Sequence, residues 1–173
     1  MIPKIFWALR YLAYRFVFFN SFKGFVGYFG TPIYVSGLRR ANFGYLLRVF
    51  PLARIEVQKN GCLKIGDSVS IGQQLHLTCG KYIEIGDNCI ITRNVTITDI
   101  LHTYPDKSKP RNNYDVELEP TIIGKNVFIG ANAVIDRGSH IGDGSTVAAN
   151  AYVRGNFPDN SIIYGSSPPN KNY

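Results

Sequence analysis

Acidic residues are missing from the whole first third of this chain. From Met1 to Arg54 there is no Asp or Glu, while Lys4, Arg10, Arg15, Lys23, Arg39, Arg40, Arg48 and Arg54 are all basic. The formal net charge of +7 therefore resides in that segment, and the remainder is close to neutral. Such an imbalance points to an anionic partner: a phosphorylated cofactor, an anionic lipid surface or nucleic acid. Nucleic acid is set aside, because no recognition motif accompanies the basic segment. Cysteine is scarce and odd in number. Cys62, Cys79 and Cys89 show no CxxC spacing, which excludes a disulfide framework and fits reduced thiols of a cytosolic protein. Long apolar runs are lacking as well. The uncharged stretch Phe16 to Phe22 is far short of the ~20 residues a membrane span needs. Arg10 and Arg15 interrupt the apolar N-terminus and no small-residue cleavage site follows, so a secretory signal is not expected. The expected location is the cytoplasm, extending to the inner face of the cell membrane if the basic segment binds lipid.

What the chain does have is a repeat. Ile123, Ile129, Ile135, Ile141, Val147 and Val153 recur every six residues, and Gly124, Gly130, Gly142 and Ala148 follow four of them. An earlier block keeps the same period through Ile65, Ile71 and Leu77, then Ile85, Ile91 and Ile97. Six is neither the period of a helix nor simple alternation. It fits a short strand with one aliphatic side chain pointing inward, followed by a tight corner. Asn, Asp or Gly there tolerates a left-handed backbone. Three such units make one triangular coil, so that Ile123 stacks over Ile141 and Ile129 over Val147, as in a solenoid. The stretch 100–121, with Pro105, Pro110 and Pro120 and no period, reads as a loop extruded from one corner.

Over roughly residues 55–173 the repeats IGDNCI ITRNVT and IGKNVF IGANAV resemble those of the hexapeptide-repeat acyltransferases. The resemblance implies an all-β fold: a left-handed parallel β-helix of hexapeptide repeats, with an N-terminal helical or irregular segment and one extruded loop. It implies acetyl-CoA as acyl donor, no metal, and a homotrimer with active sites between subunits. The activity expected is O-acetyl transfer to a sugar or glycan hydroxyl in surface polysaccharide or lipopolysaccharide biosynthesis. An amino-sugar N-acetyltransferase on the same fold, or a non-catalytic β-solenoid, are the alternatives.

His102 ends the hexad ITDILH and leads into the loop. In the sugar O-acetyltransferases that the chain resembles, a histidine there is the general base, and transfer from a thioester to a hydroxyl needs such a group. His76 and His140 share its hexad position and read as exposed corner residues. The three histidines, 26 and 38 residues apart, lack the close pair that a zinc site of carbonic anhydrase type would need. By the same resemblance, Gly130 and Ala131 form a corner that contacts acetyl-CoA, and a main-chain N–H there would stabilise the oxyanion. Ala149 lies one coil later beside the pantetheine arm. Arg154 and Lys171, the latter in a tail (156–173) that departs from the family's pattern, are candidates for the cofactor phosphates. Gln74 and Asp99 are candidates for the acceptor, with Asp99 also readable as a corner cap.

Residues 1–54 form a basic, aromatic-rich segment holding fifteen of the 23 aromatic residues. On a helix over residues 3–20, Ile5, Leu9, Leu12, Phe16 and Phe19 share one face. That pattern suits a cap on the open end of the coil stack, and equally a contact of residues 1–25 with an anionic membrane.

Overall fold

The computed structural model describes residues 2–103 and 115–167. Behind one helix, α1 (Ile2–Val17), the chain winds through short strands that pair in parallel into three faces of a prism. Face one runs through Ala41–Phe43, Cys62–Ile65, Tyr82–Ile85, Thr121–Ile123, His140–Ile141 and Asn156–Phe157. Face two runs from Tyr28–Phe29 through Arg48–Val49, Ser70–Ile71, Ile90–Ile91, Phe128–Ile129 and Thr146–Val147 to Ile162–Ile163. Face three runs from Tyr34–Ser36 through Arg54–Val57, His76–Cys79, Thr96–Thr98, Val134–Ile135 and Tyr152–Val153 to Ser166–Ser167.

The periodic aliphatics are the core. On face two, Phe29, Val49, Ile71, Ile91, Ile129, Val147 and Ile163 stand in one register column, and all are buried. Ile123 pairs with Ile141 on face one and Ile129 with Val147 on face two, the stacking that the period of six predicts. Each strand gives one or two side chains to the interior, and N–H groups along the faces donate to carbonyls of the next coil. The core therefore runs the length of the stack, with its backbone polar groups paired from coil to coil.

The corners explain the polar half of the repeat. Ser68, Asn88, Asn126 and Asn160 on the first edge, between faces one and two, have φ between 54° and 59°. On the second edge, between faces two and three, Gln74, Asn94, Asn132 and Asn150 have φ between 56° and 61°. Asn adopts this left-handed region more readily than most residues. The second edge gains a side-chain ladder as well: Asn94 Nδ2 donates to Asn132 Oδ1 at 2.9 Å, and Asn132 Nδ2 to Asn150 Oδ1 at 3.0 Å.

Two expectations change. The coils begin near Tyr28 and not near residue 55, because Tyr28–Phe29, Tyr34–Ser36 and Ala41–Phe43 already pair with the coil above. Only α1 and the short turn after it stand outside the stack. The helix caps the open end with Tyr11, which is fully buried with its ring edge-on to Phe22 and Phe29 at 5.3 and 5.5 Å. The capping face is Trp7, Tyr11, Tyr14 and Phe18, not the face of Ile5, Leu9 and Phe16, which stays exposed. The thiols of Cys79 and Cys89 lie inside the prism, and burial is the main force pushing their pKa up to about 12 and about 11.

Candidate active site

The chain leaves the prism at the third edge, between faces three and one. Ile100–Thr103 runs outward and pairs antiparallel with Asp115–Leu118, with His102 opposite Val116. The expected loop is thus a β-hairpin at its base, and the expected base His102 is an exposed residue on its outgoing strand.

Its root is fixed by charge. Arg137, on the third edge of the next coil, has a side chain only 1% exposed, with Nη2 3.0 Å from Glu117 and Nε 3.4 Å from Glu119. Both carboxylates belong to the returning strand of the hairpin or its continuation. Arg137 also lies 3.6 Å from Asp136, whose carboxylate accepts the Tyr152 hydroxyl. Burial first, and that carboxylate second, push the Tyr152 hydroxyl up to about 12. A charge as deeply buried as Arg137 persists only when it is paired. The pairing binds the hairpin carrying His102 to the rigid coil. Sequence reasoning missed this group, because Arg137 in IDRGSH looks no different from Arg93 in ITRNVT or Lys125 in IGKNVF at the same hexad position.

Asp99 is a corner cap and not an acceptor contact. It is fully buried, and its two oxygens accept the N–H groups of Gly80, Lys81 and Tyr82 at 2.6 to 2.7 Å. No lone pair faces outward for a sugar hydroxyl. Arg154 is likewise committed: its Nη2 lies 3.2 Å from Glu119, so it serves the hairpin root and is not a free phosphate cation. Lys171 and residues 104–114 of the loop lie outside the described residues.

The other candidates gather on the second edge. Gln74 is an exposed corner residue there, and Gly130, Ala131 and Ala149 occupy the same edge in higher coils. Gly130 is required by stacking, since a Cβ at that position would come within 2.4 Å of the Ala149 nitrogen. Its N–H donates to Val147 O at 2.8 Å and is not available as an oxyanion donor. Among the described residues the Ala131 N–H donates to no acceptor, so of the two main-chain N–H groups at this corner it is the one left open. Small side chains at Ala131, Ala148 and Ala149 leave this edge open for a long thin molecule to lie against it.

One chain does not bring the two groups together. Ala131 and Asp136 bound face three, and five residues of extended chain separate the two edges by ~16 Å. His76 sits on face three and His140 on face one, neither on a strand of the hairpin. Among the described residues no three metal-binding side chains cluster.

Comparison with known proteins agrees with this architecture. The hexapeptide repeat of succinyl-transferase matches residues 63–99 and 120–154, and the gap between the matches is the hairpin. WbbJ of Escherichia coli, named for O-acetyl transfer in lipopolysaccharide biosynthesis, is 28% identical over 141 residues, covering 78% of this chain and 72% of its own. Galactoside O-acetyltransferase of Escherichia coli is 37% identical over 106 residues, covering 58% of this chain and 51% of its own. Among solved structures, a variant of AntD, an N-acyltransferase from Bacillus cereus, superposes with a TM-score of 0.73 at 20% identity. It covers 85% of this chain and 79% of its own, and was solved with dTDP-4-amino-4,6-dideoxyglucose and coenzyme A. The fold is the left-handed parallel β-helix, and the chain carries the hexapeptide repeat in common with the acetyltransferases it is similar to.

Proposed function

We propose that the chain transfers an acetyl group from acetyl-CoA to a sugar hydroxyl in the biosynthesis of a surface polysaccharide or lipopolysaccharide. The observation that carries this reading is the position of His102, an exposed imidazole on a hairpin whose root is held by the buried Arg137. The relationship to WbbJ and to galactoside O-acetyltransferase supports hydroxyl acceptors. The imidazole takes the hydroxyl proton as the oxygen attacks the thioester carbonyl. The tetrahedral intermediate then expels the thiolate of coenzyme A, which recovers the proton from the imidazolium. Ala131 N–H is the donor suited to the oxyanion, and such a donor contributes ~10²–10³ in rate. The small-residue second edge suits the pantetheine arm.

Because His102 and Ala131 stand on different edges, the reading requires a second copy of the chain, whose second edge faces the hairpin. A homotrimer closes such a head-to-tail contact. The reaction belongs to the cytoplasmic side, where the acyl donor is available. A second reading, acylation of an amino sugar, is favoured by the amino-sugar nucleotide bound in AntD. Competition between a hydroxyl acceptor and its amino analogue separates the two.

Replacing His102 by Ala tests the proposal. We expect kcat to fall by ~10²–10⁴, with unchanged affinity for acetyl-CoA and unchanged mass. His140→Ala, on face one, should be silent. Wild-type turnover by His102→Ala would remove the general base from this account. Absence of any acetyl-CoA binding would instead favour a non-catalytic solenoid.

A further inference from the structure

The helix α1 is apolar on two opposite stripes. The inward stripe, Trp7, Tyr11, Tyr14 and Phe18, closes the end of the core. The outward stripe, Ile5, Leu9 and Phe16, is 56 to 76% exposed. Lys4 and Arg15 lie along one border between the stripes and Arg10 along the other, by their spacing on the helix. A helix that is apolar all round has both faces covered. Capping therefore accounts for one stripe and leaves the other without an occupant in this chain.

The outward stripe lies in the part of the chain richest in exposed apolar side chains. Of the seventeen large apolar side chains exposed on the described residues, twelve precede Ala53, among them Phe6, Val17, Phe19, Phe25 and Val26. Residues 1–54 contribute no carboxylate side chain, those nearby being Glu56 and Asp67 of the next coil, and the Arg15 guanidinium lies over the Phe25 ring at 4.9 Å. Between α1 and face two a cleft of about 280 Å³ is lined by Lys4, Trp7, Arg48 and Phe50. It joins two cations to two aromatic rings beside α1. No helix among the described residues is long and apolar enough to cross a membrane.

From these observations we infer that α1 docks the protein onto an anionic lipid bilayer, lying in the plane of the headgroups with Ile5, Leu9 and Phe16 buried in the acyl boundary. Apolar exposure alone would fit many partners; the absence of any carboxylate on α1 itself, together with the basic borders, selects an anionic surface. A protein partner would have to be acidic as well as apolar, and a second copy of this end meets it with like charge. The prism then stands on the bilayer. The coil from which the hairpin leaves is three strand spacings above the first, so with the helix diameter added His102 lies roughly 25 Å from the surface. That height suits an acceptor glycan carried on a lipid, as the proposed function would require. The docking itself needs no acetyl transfer and stands or falls separately.

The test is flotation of the full-length chain with vesicles of phosphatidylcholine, with and without phosphatidylglycerol. We expect binding only to the anionic vesicles, weakening as salt rises. Leu9→Ser combined with Phe16→Ser should lower the partition coefficient by roughly tenfold or more at an unchanged melting temperature. Lys4→Gln with Arg48→Gln should bind more weakly with a flatter salt dependence. Three outcomes overturn the inference. One is failure of the full-length chain to float with anionic vesicles. Another is equal flotation of the well-folded Leu9→Ser/Phe16→Ser variant. The third is a lipid-free mass that drops in that variant, which would make the stripe a contact between copies of this chain.

Discussion

Along the first and second edges of the prism the chain turns in a fixed number of residues, whereas along the third it does not. From Phe43 to Val49 to Ile55 the inward positions advance by six and six. The same holds for Ile65, Ile71 and Leu77, and for Ile85, Ile91 and Ile97. The return across the third edge takes ten residues from Ile55 to Ile65, eight from Leu77 to Ile85 and 26 from Ile97 to Ile123, then six from Ile135 to Ile141. Two edges are templated by the coil beside them: the second through its Asn ladder, the first through Asp67, Asp87, Asp143 and Asp159, each accepting an N–H of the coil before, and both through backbone pairs. The third is satisfied by individual side chains, Asp99 and Arg137 above all. An edge that depends on particular side chains can admit an insertion without disturbing the stack, and the hairpin of His102 is built there. The regular edge offers an open groove of small residues; the irregular one carries His102, the base in the reaction we propose.

That contrast can be broken most severely at Arg137. Arg137→Ala takes the guanidinium away from Asp136 and Glu117 and leaves Glu119 with Arg154 alone. We expect a loss of roughly 2–3 kcal/mol, read as a lower melting temperature, because hydrogen bonds to charged groups are the stronger kind. Turnover should fall as well, while acetyl-CoA affinity on the second edge stays unchanged. A variant with full stability and activity would show that the root is not held by charge.

Asp99→Asn is expected to act more weakly and in one respect only. The amide keeps one acceptor oxygen for three N–H groups, so stability should fall by roughly 1–2 kcal/mol. KM for the acceptor should not move. A raised KM at unchanged melting temperature would return Asp99 to the acceptor site.

The residues that were legible in the sequence are those on the templated edges. From Ile65 onward, aliphatics at a period of six and Asn at the corners define the coil, its columns and its stacking. The first coils were illegible because Leu46 and Leu52 occupy the left-handed corners there, with φ of 56° and 67°, where Asn would have marked them. Long third-edge returns also interrupt the period before Ile65. The capping face of α1 was misread because the helix is apolar on both sides, and only packing shows which stripe turns inward. The place of His102 at the break in the repeat was readable, while its role as base is the proposal that His102→Ala tests. The committed states of Asp99, Arg154 and the Gly130 N–H depend on contacts 17 to 35 residues away, which no local pattern records. The division of the proposed site between two edges was expected only through the family resemblance, as active sites between subunits; the width of face three, its geometric reason, is recorded in no local pattern.

Mixing two inactive variants tests that division directly. His102→Ala removes the base from the third edge, and Ala131→Arg blocks the groove on the second edge of an otherwise intact chain. If each site joins the hairpin of one copy to the groove of the next, randomly mixed oligomers regain activity, to about one quarter of the wild-type level at equal amounts. Mixed oligomers that stay as inactive as either variant alone would contradict an active site shared between copies.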